Sequence, residues 1–92
     1  MMKLRKNGLT WREIDGEIIL LDLESSTYLT TNRTGTVLLR LLVDDRATEE
    51  LVSALVDAFS ISRELAEADV SSFVQTLSDK GLLDNAPTVT NI

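Results

Sequence analysis

The chain has 92 residues, 43% hydrophobic and 26% charged, with a net charge of −6. That length allows one domain and one core, and the mixture is that of a globular chain rather than a disordered tail. With no cysteine and no histidine, disulfides, thiolate nucleophiles, imidazole bases and almost every zinc or copper site are excluded. The negative charge disfavours a phosphate backbone as partner.

In chain order, "MMKLRKNGLTW" carries basic residues with no apolar run behind them, which does not fit a secretory signal; residues 1–8 are expected to form a flexible tail. "LTWREI" (9–14) alternates loosely, with Leu9, Trp11 and Ile14 assigned to the apolar side. Asp15–Gly16 is a strong hairpin signal, because both positions tolerate positive φ. "EIILLDL" follows as a second strand, "ESS" as a second turn and "TYLTT" (27–31) as a third, short strand. The meander these strands form has an outer edge.

The remainder is helical. Asn32 is an N-cap for "RTGTVLLRLLV", with Val37, Leu38, Leu41 and Leu42 on one face. Thr48 caps a second helix, with Glu49 and Glu50 in its first turn and Leu51, Val52, Leu55, Val56 and Phe59 at helical spacing. Ser62 caps a third, over 63–80, with Ala66, Val70, Phe73, Val74 and Leu77 on its apolar face and Gly81 as its stop. Residues 84–92 hold the only proline and are expected to form a flexible tail. The fold class is α+β: a three-stranded antiparallel sheet followed by three helices, winged-helix-like, over residues 9–83. No apolar run approaches the ~20 residues that span a bilayer. A cytoplasmic protein with no membrane partner is expected.

Catalysis is not expected. Glu49, Glu50, Glu64, Asp44 and Asp45 sit in helix first turns or loops, no nucleophile stands beside a base, and no glycine-rich loop matches a phosphate cradle. No cofactor and no metal is expected. A winged helix could bind DNA, but the third helix presents Glu64, Glu67, Asp69 and Asp79 where a reader needs Arg, Lys, Asn or Gln, so no nucleic acid is expected. An acyl-carrier reading fails because the serines of "DVSSF" fall inside that helix. The third strand is the informative feature. It holds neither Lys nor Pro to blunt an exposed edge, so it is either covered or kept open for a peptide to pair with.

"GEIILLD", "STYLTTNRTG", "ATEELVSALVDAF" and "ADVSSFVQTLSDKGLL", in that order and spacing, resemble the PqqD-like proteins over Leu9 to Leu83. The most specific pieces are Tyr28, the Asn32-x-Thr34-Gly35 junction, Asp69-Val70 with Phe73 and Leu77, and Gly81-Leu82-Leu83. These proteins are recognition elements for the leader of a ribosomally made, post-translationally modified precursor peptide. The resemblance implies that a leader adds as a strand beside the third strand, in a groove against the third helix. The implied peptide-binding residues are Thr27, Tyr28, Leu29, Thr30 and Thr31 on the edge. Ala66, Asp69, Val70, Phe73, Thr76 and Leu77 form the opposite wall. Val70, Phe73 and Leu77 also read as core, and Thr76 and Asp69 as solvated surface. Where the family often has an apolar residue before the junction asparagine this chain has Thr31, so alternation alone does not assign the strand's faces.

The acidic, freestanding chain points to lasso-peptide biosynthesis. There the resemblance implies a maturation protease of the transglutaminase-like cysteine type and a separate ATP-dependent cyclase as partners. A peptide chaperone of quinone-cofactor biosynthesis is the alternative.

Overall fold

The structure, a computed structural model, describes residues 1–84. Its elements follow the expected order: β1 (Leu9–Ile14), β2 (Glu17–Asp22), β3 (Thr27–Thr30), α1 (Arg33–Leu41), α2 (Thr48–Phe59) and α3 (Arg63–Asp79). The sheet is antiparallel with β2 central, so β1 and β3 are both edges. Asp15 (φ 53) and Gly16 (φ 80) make the two-residue turn that their sequence predicts, its backbone twist matched to that of the flanking strands.

Directly opposed residues of an antiparallel pair share a face. Ile18 and Leu20 therefore point inward together with Leu29 and Trp11, while Ile19, Leu21, Tyr28 and Ile14 point to the outer face. Ile14 was expected on the apolar side; it is half exposed and lies on the opposite face from Leu9 and Trp11. The inward position between it and Trp11 belongs to Glu13, which pairs with Arg40 of α1.

α1 packs on β2, and α2 and α3 pack on α1 and on one another. Leu38, Leu39 and Leu42 of α1 are buried with Leu51, Val52 and Leu55 of α2 and Ala66, Val70 and Leu77 of α3. In α1 the buried stripe includes Leu39, while the expected Val37 and Leu41 pack at its margin. Asn32 Oδ1 accepts from the Gly35 N–H and Ser62 Oγ from the Leu65 N–H, the two caps expected. At α2 the cap is Ala47 rather than Thr48: the Glu50 carboxylate accepts from the Ala47 N–H at 2.8 Å, doing from within the helix what a capping side chain does from outside.

The N-terminal segment is not the free tail expected. Met2 pairs with Arg46 and Leu4 with Leu83, and Leu4 is buried in the core. Arg5 donates to Asp22 of β2 (2.9 Å) and to the Gly81 carbonyl (2.8 Å), and its own N–H donates to the Leu82 carbonyl. The apolar Leu4 and the forked donors of Arg5 lock chain that composition alone reads as solvated. Of the expected C-terminal tail, residues 85–92 lie outside the described residues.

Candidate functional site

One main-chain bond settles which backbone groups are free. The Thr31 N–H donates to the Ile18 carbonyl at 3.0 Å. Because main-chain direction alternates along a strand, Thr27 and Leu29 also turn their N–H and C=O toward β2, leaving those of Tyr28 and Thr30 to face away. The free edge of β3 is thus two residues and four groups long. The side chains of Tyr28 and Thr30 lie on the outer face, and that of Leu29 turns inward, half-buried.

Thr31 lies off the edge expected for it, just beyond β3 and buried. Its hydroxyl accepts from the Ile18 N–H at 2.9 Å and meets the Thr36 hydroxyl at 2.7 Å, which in turn donates to the Asn32 carbonyl at 2.9 Å. This relay lets a polar residue occupy an apolar-type position without an unmatched group. It also fixes the face left open in the sequence: Thr31 turns inward.

β3 and α3 do not pack on one another. Two clefts lie near them, one along β3 that reaches the residue after α3 and one between the start of α1 and α3. One, of about 550 Å³, is lined by Ser26 through Thr30 and by Lys80. The other, of about 190 Å³, is lined by Asn32, Thr34, Gly35, Asp69, Ser72, Phe73 and Thr76, with Leu38 at its base. Asp69, Phe73 and Thr76 are therefore brought together beside the strand's end. Ala66, Val70 and Leu77, expected on the same wall, are fully buried and present no surface; they hold α3 in place from below. Sequence periodicity finds the helix face but cannot separate its rim from its base.

Gly35 explains the tight junction. A Cβ there would stand 3.0 Å from Phe73 Cε1 and 3.0 Å from Thr31 Cβ, so a side chain at this position would require Phe73 or Thr31 to give way. Lys80, Asn32, Gly35 and Ser72 were not expected to line a site, since Lys80 and Asn32 read as helix punctuation. Among the described residues neither Asp69 nor Lys80 forms an ion pair. Thr76 spends its hydroxyl proton on the Ser72 carbonyl at 3.1 Å, so toward the cleft it offers an acceptor. The rim thus presents two opposite charges, hydroxyls and one aromatic edge. No group of three or more metal-ligating acids gathers among the described residues.

The strongest electrostatic feature lies elsewhere. The Arg5 guanidinium, hydrogen-bonded to the nearly buried Asp22 carboxylate, holds it down at about 2 against the opposing effect of burial, with the Ser25 hydroxyl and the Glu24 N–H assisting. In return Asp22 raises Arg5. Asp22 closes an apolar run in the sequence, with nothing there to disclose its partner 17 residues away.

The family model of coenzyme PQQ synthesis protein D (PqqD) matches residues 17–83, which is β2 through Leu83. The chain belongs to the PqqD family. It is similar in structure to TbiB1 in complex with the TbiA(beta) leader peptide, at 29% identity and a TM-score of 0.81, covering 92% of this chain and 98% of that one. It shares its fold with a lasso peptide synthetase B1 complexed with the leader peptide, at 24% identity and a TM-score of 0.77, covering 90% and 96%. Among curated proteins none matches the chain. This PqqD-family chain therefore carries the recognition-element fold, and no helix among its described residues is long and apolar enough to cross a membrane.

Proposed function

We propose that this PqqD-family protein binds, without catalysis, the leader of a ribosomally made precursor peptide as a fourth strand on β3, against α3. It delivers the precursor to a maturation protease of the lasso-peptide type, in the cytoplasm. The observation that carries this reading is the free main-chain edge at Tyr28 and Thr30, along a cleft that reaches Lys80 and next to a second cleft walled by α1 and α3. The likeness to TbiB1 with its leader supports it.

β3 passes α3 in the opposite sense: Asn32 shares a cleft with Ser72 and Thr76, and Ser26 to Thr30 share one with Lys80. Asp69 and Lys80, eleven positions apart on or just past the helix, stand about 16 Å from one another at 1.5 Å per residue. That distance equals about five residues of extended chain. The groove therefore suits a five-residue stretch with a basic or donor group near Asp69, an acidic or acceptor group near Lys80, and an apolar side chain over Leu29 or Phe73. Four main-chain bonds at ~1 kcal/mol each and one or two apolar anchors at ~1.5–3 kcal/mol, less ~2–5 kcal/mol for ordering the leader, leave micromolar binding at the tight end.

The test is a fluorescence-anisotropy titration with the leader of any short reading frame encoded beside this gene. Saturable binding that a scrambled leader does not reproduce is expected, and no binding by the folded protein would sink the proposal. A second reading, a peptide chaperone of quinone-cofactor biosynthesis, draws on the family model; it predicts that the peptide bound is the quinone precursor instead.

A further inference from the structure

The sheet has a second open edge. The Leu23 N–H donates to the Gly8 carbonyl at 2.7 Å, and alternation from that bond turns the main-chain groups of Thr10, Arg12 and Ile14 toward β2 and those of Leu9, Trp11 and Glu13 away from it. No helix packs on β1, which reaches α1 through the Glu13–Arg40 ion pair. Its inward face therefore opens on a cleft of about 430 Å³. Buried Leu4 and Leu20 form the floor, Leu9 lies half-buried beside them, and Trp11 (38% exposed) and Val43 (51% exposed) stand as walls. An open main-chain edge beside an apolar trough has the same two parts as the β3 groove: backbone groups to pair with and pockets for alternate side chains.

Charge decides what fits it. Residues 1–12 carry Lys3, Arg5, Lys6 and Arg12 and no acid, in a chain whose net charge is −6. Arg5 is committed to Asp22, but Lys6, which lines the trough, and Arg12, on the outer face of β1, have no ion pair among the described residues. No acidic side chain lines the trough. We propose that the β1 edge takes an added strand from a second polypeptide, an extended segment alternating aliphatic and acidic residues. Its aliphatic side chains enter the trough between Trp11 and Val43, and its carboxylates meet Arg12 on the outer face and Lys6 at the rim. A second copy of this chain fits less well, because two paired β1 edges bring two sets of Lys6 and Arg12 together. The protein then joins two extended partners through opposite edges of one sheet.

Trp11 is the only tryptophan, so its emission reports occupancy of the trough directly. The probe is the end-capped peptide Glu-Val-Glu-Leu-Glu-Val-Glu, set against its lysine counterpart. A saturable blue shift with the acidic peptide is expected, at least tenfold weaker with the basic one and lost when alternate amides of the acidic peptide are N-methylated. Lys6→Glu and, separately, Val43→Glu should each weaken binding tenfold or more; both sites are exposed, and unchanged thermal melts will show the core intact. The proposal is overturned if millimolar acidic peptide leaves Trp11 unchanged, if both peptides bind equally, or if the precursor leader displaces the acidic peptide. It is also overturned if sedimentation equilibrium shows a dimer that Val43→Glu dissolves, which would make the occupant a second copy. The site is independent of β3: binding here with no leader binding there would defeat only the proposed function.

Discussion

Asp22 shows how one residue can set the acid response of a small domain. Its folded value of about 2 lies below the ~3.9 of a free aspartate, so folding favours the ionised form. The stability it contributes is complete above the unfolded value and is lost as pH falls through about 4 toward 2. Asp22→Asn is expected to lower the melting temperature at pH 7. It should also shrink the drop in melting temperature between pH 5 and pH 2, as read by circular dichroism melts of both proteins. An equal drop in the two would place the acid sensitivity on other carboxylates. Asp69 stands in contrast: it is partly exposed and has no ion pair among the described residues, so nothing in the fold depends on its charge. Asp69→Ala should weaken leader binding about five- to thirtyfold, the worth of one charge-assisted hydrogen bond (~1 to 2 kcal/mol), and leave the melt unchanged. Unchanged affinity would remove Asp69 from the site.

At the scale of the element, β3 separates two functions by residue parity. Leu29 turns its N–H to β2 and Thr30 turns its own outward. Proline deletes one donor and is tolerated on the outer side of an edge strand. Thr30→Pro is therefore expected to weaken leader binding about fivefold or more while the domain still folds, and Leu29→Pro to destabilise the sheet itself by breaking its ladder. Parallel titrations and melts of the two variants distinguish them; a Thr30→Pro protein that binds normally would rule out pairing along β3. Gly35 belongs to the same scale. It lets α1 close on Thr31 and Phe73, and a β-carbon there would press Phe73 toward the groove.

At the scale of the whole molecule, α1 alone packs on the sheet, at its central strand β2, and neither edge strand packs on a helix. The Arg5 bridge ties the N-terminal segment to β2 and to the turn after α3, so the two ends of the fold are held together independently of either edge. A leader that binds only the folded state stabilises it by about 2.7 kcal/mol at a hundred times its dissociation constant. For a domain of this size that corresponds to a rise of roughly 10–20 °C in melting temperature. Differential scanning fluorimetry with the cognate leader checks it, and no shift at saturation would mean that the peptide does not select the folded chain.

The order of elements, both turns with positive φ, the caps at Asn32 and Ser62 and the stop at Gly81 were legible in the residues, because each rests on local backbone preference or short-range periodicity. The family resemblance pointed to β3 and α3 through motifs each local in the chain. What only the tertiary structure decided is which members of those segments reach the surface. Ala66, Val70 and Leu77 share a helical face with Phe73 but lie beneath it, and Thr31 shares a segment with Thr30 but turns inward. The Arg5–Asp22 pair and the open trough at Trp11 were equally hidden. An ion pair across 17 residues, and a strand face that no helix covers, are consequences of how the elements are placed around β2. Local sequence specifies the elements themselves; their burial depends on which neighbours the packed chain brings to each face.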